Sequence, residues 1–245
     1  MTSIHLLDRQ IAGEWPDLST PEALQRFEST PFEARIAASS TWEAVRLGAA
    51  VNPQAPAIRF LPNADPEEMP LDISHAQFIA RCTQAANAFH ALGVGPGDVV
   101  SFLLPLLPQA FYTLYGAEAA GIANPVNPLL EVYQLVEILR AADTKVLVAL
   151  GPMPGADIWE KVQRIRAEMP DLAAIVVVGG ASVATAKPVK AGDPVPATSD
   201  GLAPIYDFDA LLAVQRSDAL ASGRTIQPDD TAAYFHTGGT TGTPK

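Results

Sequence analysis

The residues best placed to do chemistry lie together at one end of the sequence, in the run Tyr234-Phe235-His236-Thr237-Gly238-Gly239-Thr240-Thr241-Gly242-Thr243-Pro244-Lys245. A short aromatic stretch leads into glycines and threonines, and a lysine follows. Glycine lets backbone N–H groups approach an anion closely and point at it. Threonine hydroxyls add donors, and the lysine adds a point charge. Together these are groups for holding a polyphosphate. The spacing differs from the common nucleotide loop G-x-x-x-x-G-K-[ST], because Thr243 and Pro244 separate Gly242 from Lys245.

The order of residues resembles the signature of the adenylate-forming family, which includes acyl-CoA synthetases, luciferases and peptide-synthetase adenylation domains. That signature runs aromatic-T-S-G-T-T-G-x-P-K. Thr237, Gly239, Thr240, Thr241, Gly242, Pro244 and Lys245 match it. His236 stands at the usual aromatic position, and Gly238 replaces the common serine, removing one hydroxyl donor. The stretch Ala91 to Val100 resembles the turn before an early strand in these enzymes. Gly116 to Pro128 resembles their A-G-A-x-x-x-P-x-N-P segment, and Glu131 to Leu150 the helix and strand that follow. Residues 1–40 match nothing recognised.

The resemblance implies a two-step acid–CoA ligase. A carboxylate, with a fatty acid as the expected class, attacks the α-phosphorus of ATP, and CoA then displaces AMP. ATP, Mg²⁺ and CoA are the implied cofactor and co-substrates. Thr237, Gly238, Gly239, Thr240, Thr241, Gly242 and Lys245 are the implied polyphosphate contacts. The family's catalytic and metal-binding residues are expected downstream of this loop, so the chain reads as an N-terminal part of a longer synthetase. Alone it is expected to be inactive and to self-associate through the face its missing half would cover. Two other readings stay open: a non-catalytic phosphate-binding or interaction module, and an acyl-AMP ligase that loads a carrier protein.

These groups need a scaffold, and the sequence supplies one. At 245 residues, 48% of them apolar and 18% charged, the chain can bury a large core. Ser74 and Gln77 form a capping box, opening a helix with Phe78, Cys82, Ala85, Phe89 and Leu92 on one face. Gly93 to Gly97 end it. The glycines precede a strand, so they make a turn and not a dinucleotide loop. Strands are expected at 99–104, 122–126, 145–150, 173–178 and 231–236. Helices are expected at 109–120, from Asn127 with Leu130, Tyr133, Val136 and Leu139 buried, around 158–165, and from Asp207 or Asp209 to Val214. Phe111, Tyr112 and Tyr115 are read as packing. A strand pair is expected at 57–61 and 71–73. Residues 1–40 read as an irregular extension, and 179–206 as a long loop. This alternation predicts an α/β fold, a mostly parallel sheet layered with helices. The domain reading is an extension at 1–40 and an AMP-binding subdomain at 41–245 that ends in the phosphate loop, 236–245.

Composition narrows the partners. Sixteen basic against 27 acidic residues give a net charge of −11, which disfavours nucleic acid. A local nest of N–H groups can still bind ATP on an acidic protein. One cysteine, Cys82, rules out an intrachain disulfide and a Cys-based zinc site. No apolar run approaches a membrane span and no secretory leader is visible, so a cytoplasmic protein is expected. His5, His75, His90 and His236 have no ligand spacing among themselves. His236 enters the loop, where an imidazolium would add charge beside a phosphate.

Overall fold

A computed structural model describes residues 16–31, 34, 38–63, 65, 67–196 and 198–236. Among these, helix α1 is Pro21–Glu28 and α2 is Thr41–Val51. Strands β1 (Pro56–Phe60) and β2 (Leu71–Ser74) form an antiparallel pair. Next come α3 (His75–Ala91), β3 (Val99–Leu103), α4 (Pro108–Ala120), β4 (Ile122–Pro125), α5 (Val132–Ala141) and β5 (Thr144–Leu150). Then follow α6 (Ile158–Glu168), β6 (Ala174–Val178), β7 (Ile205–Asp207) and α7 (Phe208–Ala213).

Five strands form a parallel sheet in the order β4-β3-β5-β6-β7. Every residue of β3 and β6 is buried, so both faces are covered. Helices α2, α3, α4 and α7 pack on one another, and α5 packs on α6. The expected α/β fold with its parallel sheet is therefore the observed one.

Packing explains the elements. The Ser74–Gln77 capping box forms at the start of α3, with both reciprocal hydrogen bonds present. Phe78, Cys82, Ala85, Phe89 and Leu92 are all buried. A fully buried phenylalanine or leucine contributes roughly 1.5–3 kcal/mol. That exceeds any propensity difference along the helix, so burial holds α3 in place. Burial also pushes the Cys82 thiol pKa up, making it an inert core group. The expected packing role of the α4 aromatics is visible too: Phe78 lies 6.0 Å from Tyr112 and 5.7 Å, edge-on, from Tyr115.

The turn between α3 and β3 is clamped from two sides. Asp98 accepts from Gly95 N at 2.7 Å and pairs with Lys145 at 2.8 Å, and Lys145 also donates to Gly93 O at 2.6 Å. Opposite it, Gly121 must be glycine. A Cβ there would lie 2.3 Å from Asp98 O and 2.7 Å from Gly95 O.

Four local expectations change. Residues 21–28 are helical: Thr20 caps Ala23 N and Pro21 sits in the first turn, so a turn signal is also a helix start. Helix α5 begins at Val132 with Glu131 and Gln134 as its capping box, and Asn127 instead accepts from Leu129 N. The buried face is thus Val132, Leu135, Val136, Ile138 and Leu139, while Tyr133 is exposed. The long loop at 179–206 ends in β7, whose Asp207 then caps α7. The strand expected at 231–236 is reduced to one parallel bridge, Ala123↔Ala233.

The Gly121 contact yields a first prediction. Gly121→Ala should destabilise the protein by about 1–3 kcal/mol through overpacking against two carbonyls. Urea denaturation would show it as a lowered midpoint at unchanged slope.

Candidate functional site

The implied polyphosphate contacts Thr237, Gly238, Gly239, Thr240, Thr241, Gly242 and Lys245 lie outside the described residues. What the structure does show is how the chain reaches them. Residues 214–236 run from α7 back across the molecule to the opposite edge of the sheet, and three polar anchors tie them down.

The first anchor is Asn87, buried on α3. Its Nδ2 donates to Arg216 O and Ala219 O, both at 2.9 Å, and its Oδ1 accepts from Ala221 N at 2.7 Å. One amide thereby satisfies three backbone groups of an irregular segment. The second is Arg224. It pairs with Asp230 at 2.9 Å and reaches the carbonyls of Ala119 and Gly121 at 3.5 and 3.4 Å, beside the α4–β4 junction. The Arg224 hydrogen bond holds the Asp230 carboxyl below the usual carboxylate range. Glu118 of α4 lies beside this anchor, with burial pushing its pKa up and a Thr41 hydrogen bond opposing the rise.

The third anchor lies in the sheet. Ala123 N donates to Ala232 O at 2.9 Å and Tyr234 N to Ala123 O at 2.8 Å, laying 232–234 parallel to β4. His236 Nε2 then meets Asn124 Oδ1 at 2.7 Å. Asn124 Nδ2 donates to Ser101 Oγ at 2.8 Å, and the Ser101 and Thr144 hydroxyls are hydrogen-bonded to each other at 2.7 Å. Asn124 and Ser101 are fully buried and directly paired in the β3–β4 register. A polar row therefore crosses from β5 through β3 and β4 to the root of the loop. An amide oxygen only accepts, so His236 carries a proton on Nε2. Its Nδ1 is the ring nitrogen left for another group.

The arrangement brings His236, the residue directly ahead of the loop, to the carboxyl side of β4. Strand order reverses around β3, with β4 on one side and β5 on the other. Parallel sheets bind ligands at the carboxyl ends of their strands near such reversals. Leu106, Leu129 and Phe235, each just past β3, β4 or the bridge at Ala233, are strongly exposed. The sequence reading singled out His236 but missed Asn124, Ser101, Asn87 and Arg224. A polar residue inside a short apolar strand, as in Ala123-Asn124-Pro125, was the available signal.

The chain is similar to known proteins along most of its length. The AMP-binding enzyme family model matches residues 45–245. The marinolic acid–CoA ligase of Pseudoalteromonas sp. (strain SANK 73390) is 28% identical over 241 residues, 98% of this chain and 34% of that protein. The sulfoacetate–CoA ligase of Cupriavidus necator is 32% identical over 179 residues, 71% of this chain and 29% of that one. Among solved structures, the acetoacetyl-CoA synthetase from Streptomyces lividans superposes with a TM-score of 0.64 at 23% identity, covering 84% of this chain and 29% of that one. The chain thus spans about a third of the length of the curated relatives it matches.

Two predictions follow the anchors. Asn124→Ala would take one partner from buried Ser101 Oγ and the partner of half-buried His236 Nε2, costing about 1–3 kcal/mol. A denaturant titration measures this, and Asn87→Ala should behave similarly. The second concerns pH. The folded protein holds the Glu118 proton more tightly than the unfolded chain. Glu118 therefore adds stability below the ordinary carboxyl range, and that stability is lost as pH rises through its elevated folded pKa. Glu118→Gln should be more stable than wild type at neutral pH, and the gap should close in acid. Thermal melts across pH read both limits.

Proposed function

Because the chain belongs to the AMP-binding enzyme family, we propose that the whole protein is an acid–CoA ligase that works through an acyl-AMP intermediate. A carboxylate oxygen attacks the α-phosphorus of ATP, and the bond to the bridging oxygen of pyrophosphate breaks. The CoA sulfur then attacks the acyl carbon, AMP leaves with the bonding electrons, and the thiol proton passes to solvent. The first step brings an anion up to a polyanion, so donors preorganised around the phosphates lower its barrier.

In this reading Thr237, Thr240 and Thr241 give hydroxyls to the β- and γ-phosphates. Gly238, Gly239 and Gly242 allow close backbone approach, and Lys245 supplies charge. Mg²⁺ enters as the companion of the polyphosphate. Among the described residues no three His, Cys, Asp or Glu side chains gather to hold a metal, and none is assigned to it. The single observation that carries the reading is the family match over 45–245. The seating of 232–236 beside β4, directly ahead of this loop, supports it.

A fatty acid is the acid we place first. Relatives named for marinolic acid and sulfoacetate set the breadth of the panel to be tried. We place the protein in the cytoplasm; among the described residues no helix is long and apolar enough to cross a membrane. The 245-residue chain by itself is proposed to be inactive and to self-associate, with exposed Leu106, Leu129 and Phe235 as the sticky surface.

Acid-dependent exchange of pyrophosphate into ATP by the whole protein tests the reading. Release of ADP with every acid tried would refute it. Adenylation without transfer to CoA would redirect the second step to a carrier-protein thiol. Thr240→Ala and Thr241→Ala should each lose a hydrogen bond to a charged oxygen, roughly 1.5–3 kcal/mol. The loss should appear in the adenylation rate more than in acid binding. Unchanged adenylation in both variants would remove the loop from the mechanism.

A further inference from the structure

Two buried polar atoms near the loop root have no hydrogen-bond partner among the described residues. Glu118 Oε2, on α4, and Arg224 Nε both lack a hydrogen bond. Glu118 is only 8% exposed and the Arg224 side chain only 7%. Leaving either group dry and unpaired would cost more than an ordinary hydrogen bond returns. Both line one small cavity of about 100 Å³, which is also walled by Ser40, Thr41, Thr231 and Ala232. It lies where the start of α2, the end of α4 and the segment feeding the loop root meet.

The guanidinium cannot swing to pair with Glu118 directly. Nη2 is committed to Asp230, and Nη1 is directed at the carbonyls of Ala119 and Gly121. The lining also selects the occupant. Arg224 repels a cation. Glu118 and Asp230, both in the wall, repel an anion. The volume holds one to three waters at about 30 Å³ each. Water both donates and accepts, so it can serve Arg224 Nε–H together with Glu118 in either protonation state.

We infer that this cavity is a built hydration site, in which ordered water bridges Glu118 Oε2 to Arg224 Nε and joins α4 to the segment that carries the loop root. The water completes the Arg224 anchor. The cavity-lining residues between Ile226 and Ala232 are thereby held against α4 through solvent as well as through the Arg224–Asp230 pair. The inference is independent of the ligase reading, because it concerns how the segment is seated and not what the loop binds.

A crystal structure of the protein at a resolution that shows ordered water tests it. A water peak within hydrogen-bond distance of both Glu118 Oε2 and Arg224 Nε is expected. An empty cavity, or a direct Glu118–Arg224 pair, would overturn the inference. Thermal melts of two variants give a second readout at neutral pH. Glu118→Gln keeps a side chain that can hold the water. Glu118→Leu removes that contact and strands Arg224 Nε, and should melt about 2–4 °C or more below Glu118→Gln. A Glu118→Leu protein as stable as Glu118→Gln would show that no bridging water matters there.

Discussion

The structure turns on two backbone hydrogen bonds, Ala123 N to Ala232 O and Tyr234 N to Ala123 O. They are the only ladder contacts, among the described residues, that hold the root of the glycine-threonine run against the sheet. Two neutral hydrogen bonds contribute about 1 kcal/mol each, too little to order a segment that crosses the molecule. Their persistence depends on anchors made elsewhere. Asn87 fixes 216–221 to α3, and Arg224 fixes the following turn to the α4–β4 junction. Asn124 takes the His236 imidazole from inside the sheet. Each anchor is a buried polar group with a defined partner, and so fixes position as well as contributing energy.

The anchors also tie the site to the core. The polar row Thr144, Ser101, Asn124 and His236 spans three sheet strands before it reaches the loop root. Buried rows of this kind are costly if any member is lost, because the remaining groups have no water to turn to. The packing that makes β3 and β4 neighbours is thus the packing that places His236. The close approach at Gly121, which lets the α4–β4 junction lie against the Gly95–Asp98 turn, belongs to the same constraint.

Much of this was readable from residue spacing. The four-three-four-three run from Phe78 to Leu92 states the buried face of α3, and the unbroken apolar run of β6 states a strand covered on both sides. The glycine-threonine run carries its own chemistry wherever it lies. What was not readable depended on tertiary register. Ser101 and Asn124 become partners only when β3 and β4 pair in parallel at one particular offset. Asn87 and Arg224 act on backbone far away in sequence, and nothing local distinguishes them from surface polar residues. Tyr133 reads as buried because it stands three residues before Val136; the buried stripe runs instead through Val132, Leu135, Val136 and Leu139 and leaves Tyr133 exposed. Thr20-Pro21 looked like a turn because the same dipeptide begins turns and helices alike.

Amide hydrogen exchange on the ligand-free protein tests most directly whether the loop root is seated beside β4 before any ligand binds. The Ala123 and Tyr234 amides should be protected like those in the middle of β3, and Asn124→Ala should lower the protection of Tyr234. Exchange of the Tyr234 amide at the rate of an open loop in the wild-type protein would contradict that seating.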